Sequence, residues 1–357
     1  MEDAGLDDLV ALLPPLLQSM EALTFVSRHL DPPRLPEVMA AVGAPEEPLR
    51  ELRARLNAWP ERLAGVRARL EVALDETVSA FEALRTGPDD PDGLRGAFRA
   101  LRGLPRAMEA LYPLASGLPP VSRFFLDAGA RNDADLQLKL VQAPAREDVG
   151  VMHGGGEPGD RGGFSLYVPE YYSDERDWPV VFALHGGAGN GRGFLWTWLR
   201  EARTRGVIVV SPTAIGDTWA LSGPDIDTPN LQGILDEVQS RWRVDTSKVL
   251  LSGMSDGGTF TYVSGLEPAS PFTHLAPTSA AFHPFLAEMA DPARLRGLPI
   301  FVTHGARDWM FPIDMAREAR TALENAGAAV TYREIADLSH TYPREINGEL
   351  LDWMGVG

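Results

Sequence analysis

The chain has 357 residues, 44% of them hydrophobic and 23% charged, a balance that excludes a disordered polypeptide and provides for one large domain or two modest ones. Its formal net charge of −17 argues against nucleic-acid binding, because phosphate contacts need a basic face. The lack of cysteine removes disulfides, thiolate metal sites and cysteine nucleophiles.

The chain opens on the acidic Met1-Glu2-Asp3, and its first apolar run, Leu9 to Leu17, contains Pro14-Pro15. Neither a secretory signal nor a membrane span is expected from that pattern, and the expected location is cytoplasmic. Leu6 to Leu30 reads as helix, kinked or split at Pro14-Pro15. Pro32-Pro33, Pro45, Pro48 and Pro60 punctuate the segment after it. Leu63, Val66, Leu70, Leu74, Phe81 and Leu84 then recur at mostly three or four residues, an apolar stripe on one helix face. After the turn-rich Gly87-Pro88-Asp89-Asp90-Pro91, the pattern resumes with Leu94, Phe98, Leu101, Met108 and Leu111. Residues 1–130 are therefore expected to form an antiparallel bundle of about four or five helices. A coiled-coil dimer seam is the alternative use of the stripe, and this half is the expected surface for any homo-oligomer.

Beyond residue 131 the periodicity changes. Phe164 to Val168 alternates like a strand, and Val180 to Leu184, Val207 to Val210, Val249 to Leu251 and Ile300 to Val302 are short continuous apolar runs. Such runs suit parallel strands buried on both faces. Helical segments are expected between or after them at Leu231 to Trp242, Met315 to Ala326 and Ile346 to Met354. The glycine-rich Gly150 to Gly163 reads as a hairpin or loop. Residues 131–357 are thus expected to form a mostly parallel sheet flanked by helices, of the α/β class.

Three segments carry chemistry. Gly253-Met254-Ser255-Asp256-Gly257 follows an apolar run and precedes a helix-like stretch, and its glycines let a strand turn sharply into a helix with serine at the apex. A neutral hydroxyl needs a base at pH 7, and the base needs a carboxylate to hold its tautomer. His304-Gly305-Ala306-Arg307-Asp308 lies directly beyond one strand, and Ser339-His340-Thr341 lies beyond the strand-like Val330-Thr331-Tyr332. Each gap accommodates about one strand–helix–strand unit, so all three groups can meet at the carboxyl edge of the sheet. Asp337 is a rival carboxylate, close to His340 in sequence.

With Leu184-His185-Gly186-Gly187 and His304-Gly305-x-x-Asp308-x-x-x-Pro312, residues 160–357 resemble the α/β-hydrolase superfamily. The resemblance is to its carboxylesterase branch, phospholipase/carboxylesterase or polyhydroxybutyrate-depolymerase-like. It implies a serine carboxylesterase acting on uncharged esters, with Ser255 as nucleophile, His340 as general base and acid, and Asp308 as orienting carboxylate. It also implies an oxyanion hole from the backbone N–H groups of Asp256 and Gly187, with Ala188 as the alternative second donor. Asp256 departs from the small, aromatic or apolar residue commoner at its position. Its carboxylate either disfavours anionic acyl groups or points away from the pocket. The N-terminal half has no part in the resemblance.

Trp219, Trp309, Met310, Phe311 and Tyr342 fall in segments beside the three groups and are the expected lining of an apolar substrate pocket, with Phe194, Trp196 and Trp198 following the oxyanion loop. His185 and His304 are expected to bond to nearby backbone, and His274 and His283 flank the sixth strand. No His, Asp and Glu cluster has zinc-site spacing, so no metal and no cofactor is expected. Gly187-Ala188-Gly189-Asn190-Gly191 lacks the lysine and hydroxyl of a phosphate loop. The expected partner is a small-molecule ester. A lipase, polyester depolymerase or peptidase on the same fold is the alternative, and a non-catalytic binding protein is a third reading.

Overall fold

A computed structural model describes residues 3–86 and 93–357 of the chain. The turn expected at Gly87 to Pro91 lies outside the described residues. The chain divides into two compact units, Met1–Asp133 and Ala134–Gly357.

The first unit is all-helical. It comprises α1 (Asp3–Arg28), α2 (Leu35–Val42), α3 (Glu47–Arg55), α4 (Ala64–Thr86), α5 (Gly93–Leu101), α6 (Gly103–Leu111) and α7 (Pro119–Phe124), joined by short 3₁₀ turns. These are more helices than the apolar spacing suggests, with short ones set between the long α1 and α4 and after them. Gly43 ends α2 in the left-handed region, at φ 69°, and proline stands in the first turns of α2, α3 and α7. Of the two expected outcomes at Pro14-Pro15, kink or split, the split does not occur: α1 continues as one helix through both prolines. Proline removes the donors to the carbonyls of Val10 and Ala11, but both of those residues are exposed, where water can replace the lost bonds. The opposite side of α1 buries Leu12, Leu16, Met20 and Leu23. By length and composition Gly5–Arg28 is also apolar enough to cross a membrane, contrary to the sequence reading, because the two prolines do not divide it. The stripe of α4 is used within the unit: Leu70, Leu74, Phe81 and Leu84 are buried, with α4 packed on α1, α5 and α6.

The second unit is the expected mostly parallel sheet covered by helices. Its strands are β1 (Gly150–Gly154), β2 (Phe164–Val168), β3 (Trp178–Leu184), β4 (Ile208–Pro212), β5 (Val244–Met254), β6 (His274–Thr278), β7 (Pro299–Gly305) and β8 (Ala329–Ile335). They lie in the order β1-β2-β4-β3-β5-β6-β7-β8. The glycine-rich segment is a hairpin: β1 and β2 are antiparallel, β2 is antiparallel to β4, and all later pairings are parallel. The helices are α8 (Ala134–Gln142), α9 (Gly191–Phe194), α10 (Leu199–Arg205), α11 (Asp227–Arg241), α12 (Asp256–Gly265), α13 (Phe285–Met289), α14 (Pro292–Leu295), α15 (Ile313–Asn325) and α16 (Ile346–Trp353).

Continuous apolar runs became the central strands because both faces of those strands are covered. Every residue of β3 is buried, and Phe182, Leu251, Ile300 and Val302 belong to one core. β8 is an edge strand and half-exposed, which explains why its sequence is mixed rather than continuously apolar. The parallel register sets Leu184 of β3 beside Gly253 of β5, and Gly253 beside Pro277 of β6. The chain therefore leaves β3, β5, β6, β7 and β8 at one edge of the sheet, where open α/β sheets place their sites.

Candidate active site

Ser255 stands at the junction of β5 and α12 with φ 57° and ψ −120°, a conformation that L-residues rarely adopt. The glycines around it allow that turn. A Cβ on Gly253 would lie 2.2 Å from the carbonyl oxygen of Gly257. One on Gly257 would lie 2.5 Å from the oxygen of His185 and 2.6 Å from that of Leu184. No side chain fits in either place, so strand, turn and helix close only with glycine. The Ser255 N–H donates to the Thr278 carbonyl at 3.0 Å, which fixes the elbow to the end of β6. The strain held here is what projects the serine side chain out of the sheet edge.

His340 lies in the loop after β8, and its Nε2 is 2.9 Å from Ser255 Oγ. Its Nδ1 faces both carboxylate oxygens of Asp308, at 3.0 and 2.9 Å. Asp308 lies in the loop after β7, with its side chain fully buried. Its Oδ1 also accepts the N–H groups of Met310 and Phe311, at 2.9 and 2.8 Å. Burial alone would push the Asp308 carboxyl up. The hydrogen bond and charge of His340, helped by the Phe311 N–H and His304, outweigh it and hold the group below its ordinary value. An anionic Asp308 that accepts at Nδ1 leaves Nε2 unprotonated toward the serine, the tautomer a base needs. Ser255 keeps 6% of its surface and His340 3%, so the pair is almost closed to solvent.

The two loops that carry Asp308 and His340 are tied together by backbone. Ala306 N–H donates to Ile335, Arg307 N–H donates to Leu338, and a Cβ on Gly305 would lie 2.2 Å from the Leu338 carbonyl. Gly305 is therefore a close crossing between the carboxylate and imidazole loops. His304 Nε2 lies 2.8 Å from the Phe311 carbonyl, which accepts its N–H, and burial pushes its pKa down. It shapes the loop behind Asp308, in keeping with the backbone role expected of it. His283 is exposed and accepts the N–H of Phe285, while His274 starts β6 at the edge opposite Ser255.

On the other side of the serine, Gly187 lies in the loop after β3, and Asp256 opens α12, where the first N–H groups have no intrahelical acceptor. A Cβ on Gly187 would lie 2.7 Å from Asp256 Oδ2, so these two positions are in contact. Ala188 turns the loop with φ 54°. His185 supports it from beneath: Nδ1–H donates to the Gly186 carbonyl at 2.7 Å, and Nε2 accepts the Ala214 N–H at 3.1 Å. Burial pushes the His185 pKa down to about 4, against the pull of the Gly186 carbonyl.

The expected pocket residues separate into two groups. The rings of Phe311 and Trp309 stand edge-on to His340, with centroids at 5.2 and 5.9 Å, and Trp309 and Met310 are 40% and 45% exposed. Trp219 and Tyr342 point inward instead. Trp219 is 2% exposed, stacks on Phe260 and donates its indole N–H to the His185 carbonyl. Tyr342 donates to Asn347 Oδ1 at 2.7 Å and packs on Phe194. Sequence neighbourhood to the loops placed them near the site, but large apolar rings with a satisfied polar tip are taken into the core. Thr218, which donates to Asp256 Oδ2 at 2.6 Å, escaped the sequence reading; nothing in its spacing marks it. A surface groove of about 780 Å³, lined by Pro284, Glu288, Arg317 and Thr321 among others, contains none of the three catalytic-type residues.

Residues 225–352, which contain Ser255, Asp308 and His340, match the model of the phospholipase/carboxylesterase family. Over those residues the chain is similar to this family. The match begins after the His185 to Gly189 loop and leaves the helical unit uncovered. A bifunctional acetylxylan esterase/xylanase of Neocallimastix patriciarum is 33% identical over 135 residues, 36% of this chain and 19% of that protein. A probable feruloyl esterase C of Aspergillus terreus is 28% identical over 172 residues, 46% of this chain and 62% of that protein. The chain thus spans less than two thirds of the length of either curated relative. Among solved structures, a ferulic acid esterase is similar at 18% identity over 57% of this chain and 96% of that one, with a TM-score of 0.48.

Proposed function

We propose that the second unit of this chain, similar over residues 225–352 to the phospholipase/carboxylesterase family, hydrolyses carboxylic esters through an acyl-enzyme. The observation that carries the reading is the continuous line of hydrogen bonds from Ser255 Oγ to His340 to Asp308. Ser255 Oγ attacks the ester carbonyl carbon while His340 Nε2 takes its proton. Asp308 stabilises the imidazolium so formed. The carbonyl oxygen gains negative charge and is held by the N–H groups of Asp256 and Gly187. His340 returns the proton to the departing alcohol, and water then attacks the acyl-enzyme by the same route. The half-exposed Trp309 and Met310, with Phe311, favour a substrate with an apolar, uncharged portion beside the imidazole.

The test is Ser255→Ala, which is expected to lower kcat for 4-nitrophenyl acetate by about 10³-fold or more. Retention of native turnover would refute the assignment, as would failure of a fluorophosphonate probe to label Ser255. Assembly of copies through the helical unit and a cytoplasmic location complete the proposal. Sedimentation of the full chain as a monomer at every concentration counts against the first, and recovery of the protein outside the cytoplasm counts against the second.

A further inference from the structure

The residue after the proposed nucleophile is a carboxylate, and the structure places it with unusual constraint. Asp256 Oδ2 accepts the Thr218 hydroxyl at 2.6 Å and lies 2.7 Å from where a Gly187 side chain would start. The carboxylate is therefore laid over Gly187, one of the two backbone positions proposed to hold the substrate's carbonyl oxygen. Among the described residues no arginine or lysine stands within ion-pair distance of Asp256, and Oδ1 has no hydrogen-bond partner. Arg161, in the loop between β1 and β2, donates to the Gly189 carbonyl at 3.3 Å and is exposed. Asp256 is itself only half-buried.

We propose that Asp256 sets the charge preference of the acyl side of the ester: fixed by Thr218 over Gly187, its carboxylate favours acyl groups with an ammonium or hydroxyl donor near the carbonyl and rejects acyl groups bearing a carboxylate. This assignment rests on the esterase reading. A fixed negative charge beside a developing oxyanion raises the barrier for any ester, and a cation on the acyl group offsets that cost. A second anion adds to it. The acyl portion, unlike the alcohol, stays bonded to Ser255 through both halves of the reaction, so the carboxylate acts on acylation and on deacylation. Thr218 matters because a carboxylate free to rotate into water would be screened and would discriminate weakly.

The experiment compares kcat/KM of the native protein and Asp256→Asn on three activated esters: 4-nitrophenyl acetate, 4-nitrophenyl hemisuccinate and glycine 4-nitrophenyl ester. Intrinsic ester reactivity cancels when each ratio to acetate is compared between proteins. In D256N the hemisuccinate-to-acetate ratio is expected to rise about tenfold and the glycine-to-acetate ratio to fall by a similar factor. Ratios within about twofold of native would overturn the assignment. If D256N does not fold, the native protein still decides it: its hemisuccinate-to-acetate ratio should rise with added salt, because screening weakens the repulsion, and a salt-independent ratio overturns the proposal. Thr218→Val is expected to give ratios between native and D256N. Hydrolysis of acetate without charge preference removes only the Asp256 assignment; no hydrolysis of any of the three removes the esterase reading with it.

Discussion

At the scale of single residues, the site is built from groups whose charge states are set by what surrounds them. The Asp308 side chain is fully buried, yet its carboxyl is held below the ordinary carboxylate range by the imidazole and N–H groups that converge on it. His185 is the opposite case: a buried imidazole kept neutral by desolvation, with its pKa pushed down to about 4. Between about pH 4 and pH 6.5 the unfolded chain binds a proton at this residue that the folded chain does not, so stability rises with pH across that window. His185 is therefore expected to weaken the second unit as pH falls from 6.5 toward 4, by about 2–3 kcal/mol in all. The depressed Asp308 adds acid lability of the same sign at lower pH. Residue-resolved NMR titration checks the first part: a charged His185 imidazole at pH 5 would contradict it. His185 and Trp219 also show that chemically suggestive side chains near a site can serve as its support, with their polar atoms spent on loop backbone.

At the scale of elements, the turn between β5 and α12 is the feature most completely written in the local sequence. Its requirement is steric, since two Cβ atoms would collide with backbone oxygens of the same turn and of β3. Gly257→Ala is expected to destabilise the second unit by about 3 kcal/mol or more, because backbone, not a flexible side chain, must move. Gly233, inside α11 and exposed with nothing within 4 Å of its Cβ position, is the matched control. Gly233→Ala should stabilise by about 0.5–1 kcal/mol through helix propensity. Urea midpoints of the two variants test the pair, and similar shifts would show that backbone crowding is not what selects glycine at the elbow. The same scale exposes where pattern reading fails. Pro14-Pro15 lies in an otherwise apolar stretch and signals a kink or a split, yet α1 is not split there, and the carbonyls deprived of donors belong to exposed residues. A sequence window does not say which helix face will meet water.

At the scale of the whole molecule, the sheet, its core and the three convergent side chains all belong to residues 134–357. That segment is expected to fold cooperatively on its own and to hydrolyse 4-nitrophenyl acetate. A non-cooperative urea transition monitored by its tryptophans, or loss of turnover, would show that the helical unit completes the fold or the site. The helical unit has its own core, built from the leucines of α1 and α4.

The sequence by itself determined the two regimes of periodicity, the mostly parallel sheet, and the chain order of serine, carboxylate and histidine. It could do so because strand burial, helix stripes and the glycine elbow are properties of neighbours along the chain. Only the tertiary structure decided that His340 meets Asp308 and Ser255 within bonding distance, and that Thr218 grips the carboxylate of Asp256. It also decided that Trp219 and Tyr342 turn into the core while Trp309 and Met310 stay half-exposed. These facts depend on which loops cross at the sheet edge and which side chains the interior has room for. They are set by packing between segments far apart in the chain, and no local pattern encodes them.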